Sequence, residues 1–349
     1  MEKRKLGSSD LDVSVLGMGC WQYGGGDYWG EQSQKDVNNI VHQALDVGIN
    51  YFDTAEVYNN GESEKSLGNA LKGKREMAVI GSKITPANLH PSVLRKHCED
   101  SLARLQTDYI DVYMVHWPVE PHAIEHFTND VSLISNPTTL QEAFDGLAAL
   151  QQEGKIRHIG ISNHGVEQMK AVQATGVPFV VNELAYNLLS RAIEAHILPY
   201  CIENEIGVIG YMPLQQGLLT GNYTSLEAVK PMQARSRHFH FSRGTGSRHG
   251  ETGAEEEIEI ALKEIQILAN ELGVDMITLS LAWAIARKGM TTAIVGCRNE
   301  KQLAQNIQGA LYHLENEAIE KLNQITDSVK AKLGDNPDYY ENRNNSRIR

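Results

Sequence analysis

Asp53, Tyr58, Lys83 and His116 are the residues of this 349-residue chain whose types and spacing combine best into a reactive site. The stretch Gly48-Ile49-Asn50-Tyr51-Phe52-Asp53-Thr54-Ala55-Glu56-Val57-Tyr58 opens as an apolar strand and runs into a carboxylate, with a tyrosine five residues later. A buried carboxylate is expensive unless a cation meets it. The ends of the next two apolar runs bring an ammonium, Lys83 in VIGSK, and an imidazole, His116 in VYMVH. A free phenol titrates near pH ~10, too high for efficient proton donation at neutrality, and a cation within about 4–6 Å lowers that value by about 1–3 units. Lys83 is the expected cation, Asp53 the anion that keeps it charged, and His116 the group that orients a carbonyl or relays the proton. Such a set protonates an oxygen while something else attacks the carbon. It offers no nucleophile–base pair and no metal-ligand spacing, so no metal is expected. Each residue taken singly has an ordinary structural explanation: a helix-capping Asp53 or Thr54, a surface lysine, a core histidine. Their placement at successive strand ends is what argues for chemistry.

Those ends belong to a regular rhythm. Apolar runs end near Gly19 (VSVLGMG), Asp53, Lys83, His116, Ser162 (IRHIGIS), Glu183 (FVVNE), Tyr211 (GVIGY) and Gly296 (TTAIVG). Between them lie helical patterns such as VNNIVHQALDVG and TLQEAFDGLAALQQEG, with glycine at the expected C-cap positions Gly48 and Gly154. Eight strands alternating with helices predict an α/β fold with a parallel sheet, closed as a (β/α)8 barrel in a single domain spanning 1–349. An open dinucleotide-binding sheet would need a G-x-G-x-x-G turn before a helix, and the glycines of GMGCWQYGGG lack that spacing. Residues 3–14 read as a hairpin. Long loops at 118–138 and 213–255 fall where a barrel builds its functional rim. Residues 335–349 are polar and turn-rich, either a flexible tail or a segment folding back over the rim.

A net charge of −12 argues against nucleic acid as a partner, and no run of 18 apolar residues is present to span a membrane. MEKRKLGSSD has no apolar signal core, and Cys20, Cys98, Cys201 and Cys297 are scattered without a pairing pattern. Reduced thiols in a cytoplasmic protein are the expectation. The oligomeric state stays open.

GINYFDTAEVY, together with GSK and VHWP downstream, closely resembles the aldo-keto reductases. The resemblance implies NAD(P)H-dependent reduction on a (β/α)8 barrel, with Tyr58 as general acid and Asp53, Lys83 and His116 assisting it. It also implies cofactor contacts. Ser162 and Asn163 stand where the family holds the nicotinamide carboxamide, and Tyr211 where a ring stacks on it. Pro213 and the run from Leu214 to Thr220, with Gln216, Gly217 and Leu219, stand where the pyrophosphate is met. Gly296, Arg298, Gln302 and Asn306 follow at the adenosine end. Glu183 stands where many members carry Gln. Arg298 favours NADP(H), with NAD(H) as the alternative. Trp21, Tyr23, Tyr28, Trp29 and Trp117 are the expected substrate walls. This mixture of aromatic and polar groups leans toward sugars or polyols, which some bacterial members of the family process. The Arg- and His-rich segment 235–249 reads as a solvated loop closing one or two arginines on an anion. Two other readings compete: a cofactor-loaded regulatory subunit resembling the potassium-channel β subunits, and a barrel hydrolase using Asp53 or Glu56.

Overall fold

The computed structural model of the chain describes residues 1–223 and 225–349. Ten strands form in chain order. A hairpin of β1 (Lys3–Lys5) and β2 (Asp12–Ser14) precedes β3 (Leu16–Gly19), β4 (Tyr51–Asp53), β5 (Val79–Ile84), β6 (Ile110–Val115), β7 (Ile156–Ser162), β8 (Val181–Ala185), β9 (Gly207–Tyr211) and β10 (Met290–Val295). The last eight close into a barrel in sequential order, β10 pairing with β3, all neighbours parallel. Strands β6 and β10 are buried at every residue, as a sheet covered on both faces requires.

Outside the strands run α1 (Gln34–Asp46), α2 (Glu62–Ala70), α3 (Pro91–Leu105), the short α4 (Pro121–Ile124) and α5 (Val131–Ser135), and α6 (Leu140–Gln152). They are followed by α7 (Val166–Gln173), α8 (Ile197–Glu203), α9 (Glu255–Glu271), α10 (Met276–Ala286), α11 (Glu300–Leu311) and α12 (Asn316–Leu333). Local chemistry sets their starts. Ser33 accepts from Asp36 N at α1, Thr139 and Glu142 form a reciprocal capping box at α6, and Asn299 accepts from Gln302 N at α11. Among the described residues no single helix is long and apolar enough to cross a membrane.

The hairpin plugs the N-terminal end of the barrel. Leu6, Leu11 and Val13 pack with Tyr51, Val112, Met114, Val181, Ile209 and Ile294, which fill the barrel interior. Gly7 has φ +56° and lies so close to the sheet that a Cβ would stand 2.1 Å from Val180 O, so only glycine fits. With one end closed, the other end is left for the site. Register brings the strand ends level there: Gly19 is opposite Asp53, Lys83 opposite Met114 and Ser162 opposite Glu183.

Of the two readings of residues 335–349, the structure has the second; the flexible-tail alternative is corrected. After α12 the chain folds back over the open end of the barrel. Asp338 and Arg347 form a doubly hydrogen-bonded buried pair, the Arg347 guanidinium lies 3.8 Å from the Trp117 ring centre, and the backbone oxygen of Arg349 accepts from Glu167 N and Gln168 N at the start of α7. The solvated-loop expectation for 235–249 is corrected as well. Ser236, Arg237, His238 and Phe239 are buried, and Arg237 donates to Leu333 O, Asn336 O and Glu251, tying the loop to the folded-back segment.

Candidate active site

The C-terminal end of the barrel opens into a cavity of about 620 Å³. At its floor, β4 delivers Asp53 and β5 delivers Lys83. The Lys83 ammonium lies 2.6 Å from both carboxylate oxygens of Asp53, 3.1 Å from Thr54 O and 3.4 Å from the Tyr58 hydroxyl. Tyr58 begins a turn that continues through Asn59 and Asn60, both in the left-handed region, which asparagine tolerates better than most residues. Asn59 Nδ2 donates to Trp21 O and Tyr23 O, so the turn carrying Tyr58 is pinned to the first rim loop. His116, just past β6, meets the Tyr58 ring edge-on at 5.8 Å, and its Nδ1 has no partner among the described residues. The four expected residues are therefore together.

Burial alone would discharge Lys83; the charges of Asp53 and Glu183 outweigh it and hold its pKa above the ordinary lysine value. Burial and then Lys83 push His116 well below its ordinary value, so its imidazole is neutral at neutral pH. Tyr58 departs from expectation. Its burial lifts the phenol above its ordinary value, and the pull of Lys83 does not reverse this. Burial is the largest influence on the phenol, and Asp53, which holds the ammonium at 2.6 Å through both oxygens, offsets part of the Lys83 pull.

Along the cavity wall, Ser162 donates to Glu183 O, and Asn163 (φ +61°) donates to His116 O and Ser162 Oγ while accepting from the Tyr211 hydroxyl at 2.8 Å. Pro213, Leu214, Gln216 and Gly217 line the next section, with Gln216 and Gly217 at positive φ. Gly296, Arg298, Gln302 and Asn306 line the far end, where Asn299 caps α11. Arg298 donates to Gln32 and to Glu31 O, and its backbone N–H donates to Gln302. The cavity suits an elongated dinucleotide. Buried polar atoms without partners stand at both ends, Glu183 Oε2 beside Lys83 and Asn306 Nδ2 on α11.

Trp21, Trp29 and Trp117 line the mouth. Trp21 stacks on Tyr28 at 5.1 Å and on Tyr58 at 5.8 Å. Three expected residues fall elsewhere. Leu219 and Tyr23 are fully buried in the core, Leu219 following the left-handed steps at Gln216 and Gly217. Tyr28 backs Trp21 and donates to Gln216 without lining the cavity.

Sequence reasoning missed Gln22, Tyr340 and Arg347, which also line the cavity, as does Arg248 of the segment 235–249. Gln22 carried no motif, and Tyr340 and Arg347 sit on the folded-back segment, which reaches Gln216 and Trp117 across more than a hundred residues. Of the loop arginines, Arg243 pairs with Glu255 and Arg248 with Glu341. Arg235 faces the cavity with no ion pair among the described residues and with its Nε buried and unpartnered. Glu56 accepts from Thr85 N, Asn88 and His97, a structural network outside the cavity, and the two carboxyl groups that line the floor, Asp53 and Glu183, both face Lys83. His122, His126 and Glu341 gather on the rim, but the buried Arg347 and the exposed Arg248 face His126, which burial and these cations hold down to about 4, a setting that disfavours a divalent ion.

Three likenesses place this site among known proteins. The chain is 31% identical to the aldo-keto reductase YhdN of Bacillus subtilis over 341 residues, covering 94% of this chain and 95% of that one. It is 29% identical to the NADH-specific methylglyoxal reductase of Escherichia coli, covering 95% and 100%. A crystal structure of an aldo/keto reductase from Klebsiella pneumoniae in complex with NADP and acetate superposes with a TM-score of 0.69 at 27% identity, covering 93% and 96%. The family model for aldo/keto reductases matches residues 15–327, from the first barrel strand into the last helix, and the chain belongs to the aldo/keto reductase family.

Proposed function

We propose that the protein catalyses reversible hydride transfer between NAD(P)H and the carbonyl of an aldehyde, ketone or sugar, with Tyr58 as the general acid and, in reverse, the general base. The observation that carries this reading is the Tyr58 hydroxyl held 3.4 Å from Lys83 Nζ at the floor of a cavity long enough for a dinucleotide. The cofactor supplies the hydride, which no side chain can. The chain's residues do the rest. Tyr58 protonates the carbonyl oxygen, Lys83 stabilises the phenolate that this leaves, Asp53 keeps Lys83 charged, and neutral His116 orients the oxygen through its free nitrogen.

Ser162, Asn163 and Glu183 hold the carboxamide in this reading, and Tyr211 packs beside the ring. The turn at Pro213–Gly217 meets the pyrophosphate through backbone amides, as left-handed turns do for anions. Arg298 meets a 2′-phosphate, which supports NADP(H). The NADP complex of the Klebsiella structure supports this, and the NADH-specific Escherichia coli relative keeps NAD(H) in view. Trp21 and Trp117 wall the substrate, and their flat faces suit sugar or aromatic carbonyls. The test is absorbance at the reduced-nicotinamide band with each cofactor against aldehydes, ketones, sugars and polyols. Tight cofactor binding without turnover across the panel would favour a regulatory subunit.

Arg235, without an ion pair among the described residues, lies beside this path, and its proposed role is to clamp the cofactor's pyrophosphate. Arg235→Ala should weaken cofactor binding about 10- to 100-fold, the worth of one charge-assisted hydrogen bond. Fluorescence titration checks it. An unchanged cofactor Kd with a raised KM for anionic substrates alone would assign Arg235 to the substrate instead.

A further inference from the structure

Glu183 is a second carboxyl group where one ammonium already has its anion. Strand β8 places it at the floor of the cavity, 3% exposed at the side chain, with Oε1 3.3 Å from Lys83 Nζ. Asp53 holds the same ammonium more tightly, at 2.6 Å through both oxygens. The carboxyl groups of Asp53 and Glu183 thus crowd one ammonium, where two adjacent negative charges repel unless one of them is protonated.

The remaining titratable groups facing Glu183 add no positive charge. They are Tyr51 on β4, Tyr58 in the turn after it and Tyr211 on β9, with His116 after β6 bearing on the same Lys83. One cation and two carboxyls therefore share a site without water contact, and an unpaired negative charge there is costly. The Glu183–Lys83 distance is the longer one, so the proton belongs to Glu183. Burial, then the Asp53 charge, lifts Glu183 well above the ordinary carboxylate range. Its other oxygen, Oε2, is buried and unpartnered.

We propose that Glu183 is a positioning residue that is neutral before cofactor binds and gives up its proton when the oxidised cofactor binds. This rests on the cofactor-binding reading above. A neutral acid resembles a glutamine, since it carries a donor and still offers an acceptor oxygen to the carboxamide N–H₂. Reduced nicotinamide is uncharged and leaves that state in place. Oxidised nicotinamide brings the second positive charge the cluster lacks, and the Glu183 O–H bond breaks, its electron pair staying on the carboxylate and the proton passing to bulk buffer. By linkage, affinity for oxidised cofactor then rises with pH while affinity for reduced cofactor does not. The enzyme so built retains oxidised cofactor and is biased toward alcohol oxidation as pH rises.

The test is calorimetric titration of NADP+ and of NADPH into the protein and into Glu183→Gln, in two buffers of different ionisation enthalpy at neutral and mildly alkaline pH. The wild type should release up to about one proton per NADP+ and none per NADPH, with NADP+ affinity tightening by up to about tenfold per pH unit. Glu183→Gln should abolish both the release and the slope. The infrared carbonyl stretch of a protonated carboxylic acid, lost from the wild type on NADP+ addition, gives a second readout that needs no variant. Equal proton release for the two cofactors, or release retained in Glu183→Gln, overturns the proposal while leaving the reductase reading intact. Failure of both NADP(H) and NAD(H) to bind sinks the reductase reading and this inference with it.

Discussion

Tyr58→Phe lowers kcat/KM for carbonyl reduction by about 10²–10⁴-fold, the usual worth of a positioned general acid, and leaves the cofactor Kd within about threefold. The variant removes one oxygen and little else. The ring keeps its stacking on Trp21 and its edge contact with His116, so the mouth of the cavity is unchanged. The pH dependence gives the role its sign. Burial holds the phenol above its ordinary value, so Tyr58 is protonated across the range in which the protein is used, and the reduction rate should stay level through neutrality. Alcohol oxidation needs the phenolate and should accelerate as pH rises. Steady-state kinetics in both directions measures this. A variant retaining more than about a tenth of wild-type activity would mean that water or His116 donates the proton, since one order of magnitude is less than a general acid contributes.

Lys83→Met produces a loss of a different kind, in stability as well as turnover. Removing one partner of a buried ion pair costs about 3–5 kcal/mol, because the other is left without compensation. Here two carboxyl groups lose it together, Asp53 at 2.6 Å and Glu183 at 3.3 Å. Urea unfolding should show the drop. The folded-state pKa of Lys83 is raised by its carboxylate partner, so on the alkaline side its contribution is complete below the ordinary lysine value and fades as pH climbs through the raised one. The variant's deficit should shrink as acid neutralises the carboxyls. Adding Asp53→Asn to Lys83→Met should recover part of the stability without recovering turnover. A single variant as stable as the wild type would mean that water reaches the cluster and replaces the ammonium.

Most of the barrel is readable in the chain because each strand is a short apolar run that ends in a change of character. The runs INYFD, VIGSK and VYMVH end within a residue or two of β4, β5 and β6. Asp53, Lys83, His116, Ser162 and Glu183 follow from that alone, since parallel register sets neighbouring strand ends level. What escaped reading depends on distance. Nothing near Tyr340 or Arg347 in sequence says that Trp117 and Asp338 will receive the arginine, or that Arg237 will reach Leu333 O and Asn336 O. The phenol of Tyr58 was misjudged because residue spacing shows which cation is near but not how deeply the hydroxyl is buried. Leu219 was misplaced because spacing does not show the two left-handed steps that precede it.

The segment that folds back from α12 also has a meaning for how the molecule is made. All eight barrel strands leave the ribosome before Asp338, Tyr340 and Arg347 do. A nascent chain stopped short of them contains every barrel strand, the four residues at the floor and, on the proposed reading, the residues that would meet the cofactor. It lacks the wall that Tyr340 and the Arg347–Trp117 stack add to the mouth. On that reading the cofactor contacts are complete along the chain before the substrate wall is.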